Sequence, residues 1–291
     1  MDNKMTDRVL LRAMNRFNGE MGTRYSTANI KHEYYNTDNA ADVFERFCGR
    51  YFPDRLDDDY RSPGYFRDSI AMAFTGKECD GILYNGLFCA GLNPAELYEI
   101  SLHELSHIFC VHNEIGGNFY EKYCGDSGDA YTTGVMNAGY AVWREFIAGI
   151  IADYVSEYSI GRSLSDSHPE IAWHWKEITP KNPNAKRHLS ELLFLLMAGG
   201  EIALAHEWDD VRKSIQRLKL TKAEVFYNIV RAVWENLYEG ECWEIDGEFI
   251  HSLGIMYVSL LTVKTGQTVS DQVARNEVRT LMRMGRQRAG C

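Results

Sequence analysis

Apolar residues recur at three- and four-residue spacing along most of the chain, which predicts a mainly helical protein with a little sheet. From Asp7 to Phe17 the stripe is Val9, Leu10, Ala13, Met14 and Phe17. From Asn39 to Tyr51 it is Val43, Phe44, Phe47 and Cys48. Pro53 to Pro63 is polar and acidic and reads as a loop. Ser69 to Phe74 and Gly81 to Ala90 read as strands, the second directly before a long helical segment. That segment opens with Asn93 as N-cap, Pro94 at the first helical position and Glu96 three residues after the cap, as in a capping box. No Gly or Pro follows before Val111, so a helix of about 18 residues is expected.

Asn113 to Gly139 carries six glycines, Gly116, Gly117, Gly125, Gly128, Gly134 and Gly139, and reads as an irregular connection that could serve as a lid or shape a substrate. Ala141 to Tyr158 predicts another helix. Further helices are expected over about His188 to His206, Thr221 to Tyr238, Gly247 to Lys264 and Ser270 to Arg286. No repeat or low-complexity linker interrupts the series. The expected fold class is α+β, predominantly helical, with a small N-terminal sheet and a helical C-terminal half. Residues 1–165 would form one domain and 166–291 a helical subdomain packed on it.

Composition narrows the function classes. The chain has 291 residues, 45% hydrophobic and 25% charged, an ordinary globular balance. Its formal net charge of −10 argues against nucleic acid or an anionic membrane as partner, since both need a cationic surface. Arg275, Arg279, Arg283, Arg286 and Arg288 are an exception that suits the C-terminal end of a helix dipole. The seven cysteines are odd in number and form no C-x-x-C pair, and no secretory signal precedes them. A reduced, cytoplasmic protein is expected. The longest apolar runs, Leu192 to Ala198 and about Ile255 to Val263, fall well short of the ~20 residues that span a bilayer.

The candidate chemistry lies in His103-Glu104-Leu105-Ser106-His107, an H-E-x-x-H pattern. Residues four apart on a helix differ by about 40°, so both imidazoles project from one face, one turn apart. Glu104 is rotated about 100° from His103, close enough to act on a water without ligating the metal. Composition alone predicts about 0.02 such matches in the chain. Two stacked histidines beside an acid are also a poor choice for a core that holds no ligand. The uncharged flanks Ser101, Leu105, Ser106 and Ile108 suit a buried helix.

A catalytic zinc takes three protein ligands and keeps a fourth position open. His112, five residues past His107, would be rotated about 140° away from it. Glu145, in Trp143-Arg144-Glu145-Phe146-Ile147-Ala148, is the better third ligand, a carboxylate in an apolar helix that can run antiparallel to the first. Asp153 and Glu157 remain alternatives. Glu99, one turn before His103, is placed to accept from an imidazole N–H.

Across residues 80–160 these motifs resemble the zincins, and within them the gluzincin arrangement of thermolysin-like peptidases. They also resemble bacterial and phage cytoplasmic zincins whose second helix reads like E-F-x-A. The metzincin pattern is absent, because Cys110 and Asn113 stand where its Gly and third His belong. The resemblance implies a zincin-like core, in which a strand precedes the metal helix and the sheet's edge strand walls the substrate cleft. It also implies an Asp four residues after the third ligand, where this chain has Gly149.

The reaction implied is hydrolysis of a peptide bond in a restricted intracellular protein substrate. His103, His107 and Glu145 would hold Zn²⁺, and Glu104 would serve as general base. The donor of a hydrogen bond to the oxyanion would come from Tyr131, Tyr140, Tyr154, His168 or His174. Two other classes use the same residues: an Fe(II)-dependent hydroxylase or oxygenase, and a non-catalytic binding protein of zincin shape.

Overall fold

A computed structural model of the chain describes residues 3–36, 38–56, 70–115, 130–156, 168–182, 185, 188, 189, 192 and 247–265. Two compact units emerge: Met1–Glu114 with Ala148–Ser159, and Ile115–Ile147 with Ile160–Cys291. The described residues are predominantly helical with one small three-stranded sheet, which makes the fold α+β. Among them no helix is long and apolar enough to cross a membrane.

The first unit begins with α1 (Asn3–Met21), longer at both ends than its apolar stripe. Gly22, at φ 67°, closes it by returning its N–H to the Asn18 carbonyl. Strand β1 (Ile30–Tyr35) follows. Its sequence IKHEYY does not alternate cleanly, because the four central residues are all half-buried. Helix α2 (Ala40–Tyr51) buries the stripe predicted for it. Strands β2 (Ala71–Phe74) and β3 (Asp80–Asn85) complete the sheet in the order β1-β3-β2, with β1 parallel and β2 antiparallel to β3.

The register divides the sheet's two faces. Tyr35, Leu83, Met72 and Phe74 meet α2, where Phe44, Phe47 and Phe52 fill the core. Gly81 lies on this face because a methyl there would stand 2.7 Å from both the Phe47 and Phe52 rings. The opposite face presents Tyr34 and Tyr84, with Ala71 paired to Tyr84 and Ala73 to Ile82. Those alanines leave room for α4 (Pro94–His112), which packs on β2 and on α1.

The predicted strand Gly81–Ala90 stops at Asn85. The Asn85 side chain accepts from the Leu87 N–H and starts a one-turn helix, α3 (Gly86–Ala90). β3 is therefore the central strand, and a short helix separates it from α4.

The glycine-rich connection is also shorter than expected, because α5 runs from Ala130 to Val155. Gly134 and Gly139 belong to this helix rather than to a loop. In the second unit α5 meets α7 (Gly247–Thr265), with α6 (His168–Glu177) between them in sequence. A methyl at Gly139 would run into the Ile250 carbonyl oxygen, and one at Gly254 into that of Val135. Two helix backbones cross here with glycine on each side. The predicted helices over 188–206, 221–238 and 270–286 lie outside the described residues, except for helical His188, Leu189 and Leu192. Neither β1 nor α6 was expected.

The two glycines of α5 predict opposite mutational signs. Gly134 is exposed with nothing near it, so Gly134→Ala should raise stability by ~0.5–1 kcal/mol through helix propensity. Gly139→Ala should lower it by ~1–3 kcal/mol through overpacking. Denaturant midpoints of the two variants check both.

Candidate metal centre

Helix α4 carries the histidines, and its start is well fixed. Asn93 Oδ1 accepts from the N–H groups of Ala95 and Glu96, while Glu96 Oε2 accepts from the Asn93 N–H at 2.8 Å. The two serines around the motif return their hydroxyls to the helix, Ser101 to the Leu97 carbonyl and Ser106 to that of Leu102. Their side chains are thereby satisfied in a buried helix. Because the Ser101 proton is committed to Leu97, the Tyr84 O–H donates to Ser101 Oγ at 3.0 Å. This bond ties β3 to the helix three residues before Glu104. Burial pushes the Tyr84 hydroxyl well above the ordinary tyrosine range; its bond to Ser101 opposes the shift, while Tyr34 and Glu104 add to it. Tyr84 is therefore a neutral donor next to the site.

His103 and His107 face each other through their Nε2 atoms, 3.1 Å apart, with the rings nearly perpendicular at 88°. A ligand atom of Glu145 joins them, and all three donor atoms lie within 4.8 Å of one another. Glu104 is buried at 7% exposure, an unusual setting for a carboxylate.

Glu145 sits on α5 three residues before that helix enters the first unit. The helix end is anchored there twice. Arg16 Nε donates to the Val155 carbonyl at 2.9 Å, and Ser156 Oγ donates to Glu99 Oε1 at 2.6 Å. Ser156 is eleven residues from Glu145, hence only about 20° away around the axis. Ala148, Gly149 and Ala152, all buried, lie within about 60° of Glu145 on the same face.

His112 faces elsewhere, with Nε2 at 2.8 and 2.9 Å from the two oxygens of buried Asp80. It ties the end of α4 to the start of β3. Burial raises the Asp80 pKa above the usual aspartate value, and the bond to His112 works against that rise. Nothing in the sequence announced this pair except the position of His112 at a helix C-terminus. Glu99, expected beside His103, takes the Ser156 hydroxyl.

Of the candidates for the oxyanion, Tyr154 is exposed and lies about 180° around α5 from Glu145. Tyr140 stacks on Trp143, and buried His174 bonds His188 through Nδ1 at 3.0 Å. Glu157 and the side chains of Tyr131, Asp153 and His168 lie outside the described residues.

The donor set fits zinc. Nitrogen ligands at ~2.0–2.1 Å on a tetrahedral centre are about 3.3 Å apart, close to the separation observed. Two imidazoles and a carboxylate are a donor set that zinc accepts. No protein-family model, curated protein or solved structure matches the chain.

The Asp80–His112 pair predicts a pH dependence. Asp80 binds its proton more readily in the folded chain than an ordinary aspartate does, so its ionisation opposes folding above its raised pKa. His112→Ala removes the partner of the buried carboxylate and should cost ~1–2 kcal/mol at neutral pH. The loss should shrink as pH falls through the raised Asp80 pKa. Denaturation of the two proteins over a pH series checks this.

Proposed function

We propose that the chain is a zinc-dependent peptidase of the zincin type, gluzincin-like in its ligands, acting on a restricted protein or peptide substrate. The observation that carries this reading is the approach of His103 Nε2, His107 Nε2 and the Glu145 carboxylate to within 4.8 Å of one another, beside buried Glu104. The sheet supports it: β2 is an edge strand, and α4 packs against it, the relation a zincin cleft needs.

In this reading His103 and His107 present Nε2 lone pairs from successive turns of α4, and Glu145 supplies the third ligand from α5. When bound, zinc polarises the scissile carbonyl and lowers the pKa of the attacking water. Glu104 takes the proton from that water and passes it to the leaving amine. Burial of Glu104 shields that proton transfer from bulk solvent.

Elemental analysis of the purified chain should give one zinc per chain, lost in His103→Ala and His107→Ala and weakened in Glu145→Ala. Glu104→Gln should keep the zinc and lower cleavage of a peptide library, read by mass spectrometry, by about 10²-fold or more. A chain that holds no metal, or holds iron and shows no Glu104-dependent cleavage, would sink the reading.

A further inference from the structure

The outer edge of β1 borders a groove of about 330 Å³ that the metal chemistry does not use. Its backbone follows from the register. The Asp80 N–H donates to the Asn29 carbonyl at 2.8 Å, and Ile30 is paired with Asp80. In a parallel ladder this directs the backbone groups of residues 31, 33 and 35 to β3, and those of 30, 32 and 34 away from it. The Ile30 N–H turns back to the Ser26 carbonyl. Among the described residues no strand lies beyond the N–H and C=O groups of His32 and Tyr34, which makes this edge a template for one more strand.

The side chains of the groove choose what that strand carries. Towards α2 it presents Lys31, Arg46 and Arg50, together with Glu33 and the ring of Tyr51. Glu33 pairs with Arg46. Lys31 anchors its ammonium to the Ala28 carbonyl at 2.7 Å, and Arg50 lies over the Tyr51 ring at 5.0 Å. Among the described residues neither Lys31 nor Arg50 is paired with a carboxylate, so this side keeps an excess positive charge in a chain of formal net charge −10. The α1 side of the same edge carries Asp7, bonded to His32 Nε2 at 2.8 Å and to the Tyr34 hydroxyl. Acidic side chains are attracted on one side and repelled on the other.

We propose that this edge docks an extended segment of a partner protein with acidic residues at every second position, added to the sheet beside β1. The backbone of the segment pairs with His32 and Tyr34, and its alternating carboxylates face Lys31 and Arg50. The docking is independent of the metal site, since it uses no residue of α4 or α5.

Fluorescence anisotropy with a labelled peptide of alternating Glu and Thr, titrated with the full-length chain, tests this. Binding should weaken as salt is raised, and roughly tenfold or more in the double variant K31E/R50E, with circular dichroism confirming the fold. The same peptide N-methylated at alternate amides should lose binding without any change to the protein, because strand pairing is blocked. Equal binding of a Ser/Thr peptide, or of the N-methylated peptide, would overturn the proposal. So would self-association of the chain that K31E/R50E abolishes, which would assign the edge to a second copy.

Discussion

Two imidazole nitrogens 3.1 Å apart cannot both turn lone pairs on each other without a proton or a cation between them. Without metal, one ring must donate an N–H to the other; with metal, both lone pairs are used at once. Holding two rings in that relation takes a helix that neither frays nor rotates. The capping box fixes the first turn of α4, the Tyr84–Ser101 bond fixes its angle to the sheet, and the His112–Asp80 bond fixes its last turn. Ser101 and His112 lie off the ligand face, and the capping box lies at the first turn, so each holds the helix without occupying the positions of the donors.

The same logic explains the polar residues hidden in this helix. A buried serine or tyrosine is costly without a partner. Both serines of the helix have one: Ser106 bonds its own helix, and Ser101 gives its proton to Leu97 and accepts from Tyr84. The one charged residue buried in the middle of the helix is Glu104. Its burial is the feature that a plain packing helix would have no reason to keep.

Much of this was legible in the chain. The capping residues of α4, the apolar stripe of α2 and the shared face of His103 and His107 depend on local spacing, and local spacing is what a sequence displays. What stayed hidden was set by tertiary neighbours. β1 lacks alternation because both its faces are half-covered. The end of β3 depends on Asn85 bonding Leu87 in preference to continuing the strand. Gly139 looks like a loop residue until Gly254 and Ile250 are brought against it, since glycine serves helix crossings and turns alike. The Asp80–His112 bond joins residues 32 apart in sequence, and no periodicity reports such a pair.

Gly149 illustrates how the site departs from the pattern its motif suggests. A thermolysin-like arrangement would place an orienting carboxylate there, one turn after the third ligand. On α5 that position shares a buried face with Ala148 and Ala152, between Glu145 and Ser156. An aspartate at 149 would carry a charge into that buried stripe, where small residues keep the surface of α5 low. The carboxylate on the α4 side is Glu99, one turn before His103, and its partner is Ser156 at the far end of the same α5 face. Together with the Arg16–Val155 bond, this hydrogen bond anchors the C-terminal end of α5 within the first unit. A carboxylate in an apolar helix makes Glu145 readable as the third ligand from its own surroundings, whereas the Glu99–Ser156 bond joins residues 57 apart and no local spacing reports it.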